Sequence, residues 1–192
     1  MATRITWLVA ATAVWSGALL AQTSESQLFF DALSAHCGKA YAGSLISGDA
    51  ADQAMAGAEM VMHVRDCSDS EIRIPFFVGD DRSRTWVITK TDDGLQLKHQ
   101  HRHADGSDDE VTWYGGHTDS SIGTDSAKVQ SFPVDNYSIA MFERTGLGVS
   151  VTNVWQLKLN ADRFNYSMSR SGRHFEVSFS LAEPVPVPPE AW

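Results

Sequence analysis

The chain has 192 residues, a formal net charge of −9 at pH 7 and two cysteines. A chain of this length can form one domain with a sizeable hydrophobic core. The acidic balance argues against a nucleic-acid or anionic-membrane partner, because both require a basic surface that displaces counterions. Solubility is the simplest role for the negative charge.

The first residues have the pattern of a signal peptide. Arg4 supplies a short basic region, an apolar segment continues to Leu20, and the small residue Ala21 precedes a plausible cleavage point. The apolar segment is short for a membrane span, so a retained anchor is the weaker alternative. We predict that residues 1–21 direct the protein to the periplasm or out of the cell, and that no membrane span remains after cleavage.

The exported chain is predicted to form a single domain over residues 22–183. A proline-rich tail, residues 184–192, follows it. Proline cannot donate to a sheet ladder, so the tail is expected to lie as an extended polyproline segment on the surface. No feature of the sequence indicates the oligomeric state.

Cys37 and Cys67 are predicted to form a disulfide, because disulfides persist in exported proteins. The geometry agrees if residues 39–47 and 59–67 are neighbouring antiparallel strands. The start of the first strand would then lie beside the end of the second. A reactive or metal-binding thiol is the alternative.

The rest of the chain predicts a short helix followed by many short strands. Apolar residues at helical spacing predict the helix at residues 26–36, which is expected to cover one end of the fold. Turns rich in Gly, Asn, Asp and Ser separate the strands, and Asp135 is a candidate cap for a second brief helix. The predicted strands cover residues 39–47, 60–65, 70–78, 85–90, 95–103, 110–115, 129–132, 149–159, 163–170 and 173–181.

Roughly eight to ten strands with hairpin links indicate an all-β protein, either an antiparallel up-and-down barrel or a sandwich. We favour the barrel, because closure removes the exposed edges of the sheet and a small barrel can hold one ligand. Within the run of residues 70–78, Pro75 indicates a sheet edge or a bulge.

The most informative strand is residues 95–103, LQLKHQHRH. Successive side chains of a strand point to opposite faces, so His99, His101 and His103 share a face with Leu95 and Leu97. The leucines are expected to face inward, and the histidines would follow them. Such a face is typical of a barrel wall with a packed end and a wetter mouth.

The strand at residues 110–115 is expected to return beside the histidine strand. If His103 pairs with Glu110, one polar surface forms from His99, His101, His103, Glu110, Thr112 and Tyr114. A slip of one residue would instead place the histidines against Val111 and Trp113. The sequence leaves the register open.

Four segments resemble uncharacterised exported bacterial proteins of lipocalin-like (calycin) type. The segments are GLQLKHQHRHADGSDDEVTWYGG, TNVWQLKL, RFNYSMSR and RHFEVSFSL. The resemblance covers the whole predicted mature chain. It implies a calycin-like barrel and carries no known activity or ligand.

The residues support more than one function. We hypothesise first that the barrel binds a small apolar or amphipathic molecule, using His99, His101, His103, Thr112, Tyr114, Trp86 and Trp113. Large aromatic residues of a barrel can equally be packed core.

The second hypothesis is a metal-binding protein or metal-dependent enzyme. A His-x-His pair places two imidazoles about 6 to 7 Å apart at Cα on one face, which suits zinc, copper or iron. The ligands would be His99, His101, His103 and Glu110. A hydrogen-bonded polar layer is the simpler interpretation of the same residues.

A third hypothesis is an interaction or envelope-maintenance protein without a pocket. No catalytic residue is assigned, because the sequence lacks a matched Ser, His and acid and lacks a Gly-x-Ser-x-Gly motif.

Overall fold

The structure is a computed structural model that describes residues 23–119 and 125–192. The predicted signal peptide lies outside these residues. In the two described ranges, no helix is both long enough and apolar enough to cross a membrane.

The described residues form eleven β-strands and two α-helices. The helices are α1 (Glu25–Ser34) and α2 (Asn136–Arg144), and short 3-10 helices cover Ala50–Met55 and Gly148–Ser150. The strands are β1 (Ala40–Leu45), β2 (Met60–His63), β3 (Asp66–Cys67), β4 (Glu71–Val78), β5 (Asp81–Thr91), β6 (Gly94–His101), β7 (Tyr114–His117), β8 (Val129–Pro133), β9 (Val154–Leu159), β10 (Arg163–Arg170) and β11 (Arg173–Ser180).

Ten strands follow one another around the sheet in the order β7-β6-β5-β4-β2-β1-β11-β10-β9-β8, and β3 pairs with β4 beside this path. Every strand pair is antiparallel. The two terminal strands meet through a single bridge between Gly116 and Val134. The fold is therefore a nearly closed antiparallel barrel, and the predicted all-β barrel with a short helix is confirmed.

The seam between β7 and β8 depends on close backbone contact. A Cβ atom at Gly116 would lie 1.8 Å from the carbonyl oxygen of Pro133, so a side chain has no room there. Beside it, the Asp135 N–H donates to the Gly115 carbonyl at 2.9 Å, and the Gly115 N–H donates to Ser138 Oγ at 2.8 Å. The start of α2 thus fastens the seam.

The side chains on the inner wall are mainly the apolar residues that alternate with polar ones along the strands. Helix α1 closes one end, with Phe29, Phe30 and Leu33 buried and Ser24 Oγ capping its first turn. Apolar side chains from around the barrel fill the space against α1. They include Met62, Ile72, Ile74, Ile88, Leu95, Leu97, Phe132, Leu157, Phe164 and Phe179, each at most 1% exposed. The prediction that a short helix covers one end is confirmed.

Pro75 lies inside β4, which has neighbours on both sides. Pairing with β2 ends at Phe76, and pairing with β3 begins at Arg73, so β4 has no paired residue at Pro75 on that side. The missing N–H of proline is tolerated at such an interruption. The register of β4 against β5 also shifts between Phe76 and Val78, where a bulge is consistent with the prediction.

The predicted disulfide is confirmed, with Cys37 and Cys67 bonded and their Cα atoms 6.2 Å apart. The predicted strand geometry explains it, because Ala40 at the start of β1 pairs with His63 at the end of β2. A bond that closes a loop with a sequence separation of 30 contributes about 3 to 4 kcal/mol in the chain-entropy model. Such a bond is consistent with an oxidising compartment.

The C-terminal tail lies against the outside of the barrel. The Val185 N–H donates to the Ala40 carbonyl at 2.8 Å, and the Trp192 N–H donates to the Arg82 carbonyl at 3.2 Å. The Arg82 guanidinium lies 5.9 Å from the centroid of the Trp192 ring. These contacts hold the tail at both of its ends.

Candidate functional site at the mouth of the barrel

The end of the barrel opposite α1 is open, and we call it the mouth. It contains the ends of β4, β6, β8 and β10 and the starts of β5, β7, β9 and β11. The 3-10 helix Ala50–Met55 lies beside the mouth on one side and α2 on the other. The inner wall of β6 runs from Leu95 and Leu97 in the packed region to His99 and His101 near the mouth.

His99 is buried beneath the mouth, with 2% of its surface exposed. Its Nδ1 lies 3.0 Å from the Tyr114 carbonyl oxygen, and its Nε2 lies 2.8 Å from the Tyr166 hydroxyl. A carbonyl oxygen only accepts, so Nδ1 carries the proton and Nε2 accepts from Tyr166. Burial lowers the pKa of His99 to about 3, which keeps the ring neutral at physiological pH.

His101 is two residues further along β6 than His99, closer to the mouth, and is partly buried. Its Nε2 lies 3.1 Å from the Tyr114 hydroxyl, and its backbone N–H donates to Thr112 Oγ1 at 2.8 Å. Burial and then the positive charge of Arg84 lower the pKa of His101 to about 4. Its imidazole is therefore neutral, with one ring nitrogen that donates a hydrogen bond and one that accepts.

Aromatic stacking holds these rings in place. The His99 and Tyr114 rings stack with centroids 4.6 Å apart, and the Trp86 and Tyr166 rings stack at 4.4 Å. Burial raises the pKa of both tyrosine hydroxyls, so they remain protonated. The result is a rigid, uncharged layer that separates the packed interior from the mouth.

Two cavities open above this layer. The first cavity, of 240 Å³, lies toward α2, and Phe142, Ser150, Trp155, Met168 and Arg170 are among its lining residues. The second cavity, of 220 Å³, lies toward the 3-10 helix, with Asp52, Met55, Phe76, Arg84, Trp86 and Arg173 in its wall. The wall common to both consists of His101, Tyr114, Tyr166 and Phe175.

Three arginines lie around the cavities, and two of them are neutralised. Arg84 pairs with Asp81 at 2.6 Å, while Arg173 pairs with Asp49 at 3.2 Å and with Asp52. Arg170 instead donates to the side-chain oxygen of Asn153 at 3.1 Å. In the part of the chain that the structure describes, Arg170 forms no ion pair with a carboxylate.

The structure separates the predicted polar cluster. His99 pairs with Tyr114, as one of the two predicted registers requires. In this register Arg102 would pair with Val111. It bridges to Asp108 instead, so the pairing beyond His99 is displaced by three residues. The predicted return strand at 110–115 was wrong in its start, because β7 begins at Tyr114 and the preceding residues bulge out of the ladder.

This displacement moves His103 and Glu110 away from the inner wall, and both side chains are exposed. The His103 N–H donates to the Ser107 carbonyl at 2.9 Å, inside the turn. The predicted four-ligand metal set is therefore not assembled. Among residues 23–119 and 125–192, no group of three or more His, Cys, Asp or Glu side chains is placed to hold a metal ion.

Trp86 and Trp155 face inward and are 2% exposed. Trp113 does not face inward, because it lies with outward-facing residues of β5 and β6. Thr112 is buried and holds the backbone of His101. The sequence analysis did not assign Tyr166, Phe175 or Arg170 to the site.

The comparisons with known proteins leave the family open. No family model and no curated protein matches the chain. Among solved structures, a redesigned β-barrel is similar with a TM-score of 0.28 and 8% sequence identity, over 83% of this chain and 96% of the design. The strand pairing described above, and not this low similarity, defines the fold.

Proposed function

We propose that the protein is an exported, lipocalin-like binding protein that holds a small amphipathic molecule at the mouth of its barrel. The observation that supports this proposal is the combination of an aromatic wall with polar groups around two cavities at one end of the barrel. Small-molecule sites are concave and mostly apolar, with a few polar groups that orient the ligand.

The cavity volumes limit the size of the ligand. At 240 and 220 Å³, each cavity exceeds the roughly 150 Å³ that accommodates benzene in an engineered apolar cavity. Each is also smaller than about 300 Å³, the lower end for sites of drug-sized ligands. The ligand we propose is therefore one ring or one short chain in size. A longer molecule would have to occupy both cavities and pass over the residues that they share.

The wall also orients the ligand. Phe175, Trp155 and Met168 provide the apolar surface for its body. Arg170 carries five N–H donors in a planar fork, of which Asn153 takes one and the Met168 sulfur a second. The remaining donors suit an acidic or hydrogen-bond-accepting group of the ligand. Neutral His101 offers a second polar contact without the cost of burying another charge.

Native mass spectrometry of untagged protein purified from its native host tests this proposal. We expect a co-purified organic mass on the wild-type chain. Ser150 lines the first cavity, so Ser150→Trp is expected to fill that cavity and abolish or strongly reduce the bound mass. Ser169→Trp is the matched control, because Ser169 is exposed on β10, and this variant should retain the mass.

Two results would contradict the proposal. One is a wild-type spectrum that contains only the bare chain. The other is a stoichiometric metal in place of an organic mass, which would favour the metal-binding hypothesis. Loss of the organic mass from both tryptophan variants would assign the effect to general destabilisation, which circular dichroism of the same samples detects.

A further inference from the structure

A second concave surface lies on the outside of the barrel, away from the mouth. We call it the outer groove. It has a volume of 390 Å³. Its floor consists of outward-facing side chains of β4, β5 and β6, namely Glu71, Val87, Thr89, Gln96 and Lys98. Its two aromatic residues are Trp113, from the bulge before β7, and Tyr137, from the first turn of α2.

Trp113 is held in an unfavourable backbone conformation. Its φ is +60°, in the left-handed region that bulky residues rarely adopt. Strained backbone conformations of this kind are concentrated at ligand clamps, active sites and switch regions. The backbone N–H of Trp113 donates to the His99 carbonyl at 2.6 Å, and the Arg73 guanidinium lies 5.9 Å from the centroid of the Trp113 ring. The bulge thus fixes an indole beside the groove.

Tyr137 completes the aromatic part of the groove. Its side chain is 55% exposed, so one part of the ring is open to solvent. The Lys98 ammonium lies 5.0 Å from its ring centroid and forms an ion pair with Asp135 at 2.5 Å. This ion pair is mostly buried, with side-chain exposures of 14% and 17%, so it holds Lys98 in place against the ring.

The groove has charged groups, but they are already paired. Glu71 pairs with Arg73 at 2.8 Å, and Lys98 pairs with Asp135. A charged ligand would have to compete with these partners, whereas a neutral ligand would not. Thr89 and Gln96 provide hydrogen-bonding side chains on the floor. The Gln96 Nε2 already bonds to His117 Nε2 at 2.9 Å, so Gln96 offers its amide oxygen as an acceptor. The groove therefore favours a neutral ligand with apolar faces and a polar rim.

We propose that the outer groove binds a neutral saccharide. A sugar ring has C–H faces that can pack on Trp113 and Tyr137, and its hydroxyl rim can bond to Thr89 and Gln96. The amphipathic character of Trp and Tyr suits contacts that are apolar on one side and wet on the other. This site is separate from the mouth and does not depend on the function proposed for it.

The test is a titration of the ¹⁵N-labelled protein with maltotriose, cellotriose or chitotriose at millimolar concentrations, followed by the indole N–H signals. Trp113→Phe identifies the Trp113 signal by its disappearance. We expect at least one trisaccharide to shift that signal in a saturable manner. Tyr137→Ala removes one stacking partner and should weaken binding about 3- to 10-fold, equivalent to about 0.6 to 1.4 kcal/mol.

The Trp192 indole on the outside of the barrel is the internal control, and its signal should not move. Tyr137 is exposed, so its replacement leaves the core intact. The proposal is overturned if none of the three sugars shifts the Trp113 signal. It is also overturned if Trp192 shifts equally, or if Tyr137→Ala leaves the affinity unchanged.

Discussion

Lowering the pH from about 6.5 toward 4 is expected to destabilise the barrel by several kcal/mol. Burial lowers the pKa of His99 to about 3 and that of His101 to about 4, from an ordinary value of 6.5. Between these values the unfolded chain binds more protons than the folded chain, so the free energy of unfolding falls as the pH falls. Each histidine contributes up to about 1.4 kcal/mol per pH unit. Urea unfolding at a series of pH values measures this slope.

The slope is assigned to the buried imidazoles by comparing variants. His99→Gln keeps a hydrogen-bonding side chain that does not titrate, and it should reduce the slope between pH 6.5 and 4.5 by up to about 1.4 kcal/mol per pH unit, the contribution of that ring. His103→Gln, which replaces an exposed imidazole, is the matched control for the loss of one histidine. An unaltered slope in His99→Gln would show that this ring is not buried and neutral in the folded protein.

Gly116→Ala is expected to lower the free energy of unfolding by about 3 kcal/mol or more, which places it among the most damaging single substitutions. The added Cβ would lie 1.8 Å from the Pro133 carbonyl oxygen, and the clash is with backbone, so relief requires β7 to move away from β8. In a domain of this size the loss corresponds to a melting temperature lower by roughly 6 to 12 °C. Differential scanning calorimetry measures it directly.

Gly48→Ala is the matched control for that substitution. A Cβ at Gly48 meets no heavy atom within 4 Å, and its backbone is not in the left-handed region. The control should melt within a few degrees of the wild type. Equal melting temperatures for Gly116→Ala and Gly48→Ala would mean that the seam is not closed at Gly116.

The alternation of apolar residues was sufficient to predict most of the wall. In β11, Phe175, Val177 and Phe179 alternate with polar residues, and the short turn at Ser171 and Gly172 fixes the pairing with β10. Period-two patterns and tight turns are local, so they can be read from a single sequence. The inward placement of His99 followed from the same pattern.

The register beyond His99 could not be predicted, because it depends on which residues leave the ladder. Nothing in the local sequence shows that Trp113 adopts a left-handed conformation and that the preceding residues bulge out. Both predicted registers assumed an uninterrupted hairpin. Because of this bulge, the side chains of His103, Glu110 and Trp113 lie where they cannot contact the inner histidines.

The sequence alone could not predict every residue of the site, because the barrel closes through contacts between residues far apart in the chain. Tyr166 meets His99 across 67 residues of sequence, and Arg173 meets Asp52 across 121 residues. These contacts depend on the pairing of β1 with β11 and on the bridge between β7 and β8. No periodicity within one segment indicates which distant strands become neighbours.

The proposed site depends on two neutral imidazoles that lie inside the barrel, next to tyrosine hydroxyls. Long-range ¹H–¹⁵N NMR spectra of histidine-labelled protein, recorded from pH 7 to pH 5, test this most directly. We expect His99 and His101 to remain neutral throughout, with the His99 proton on Nδ1. Titration of both rings with midpoints near 6.5 would place them in solvent and contradict both the site and its proposed function.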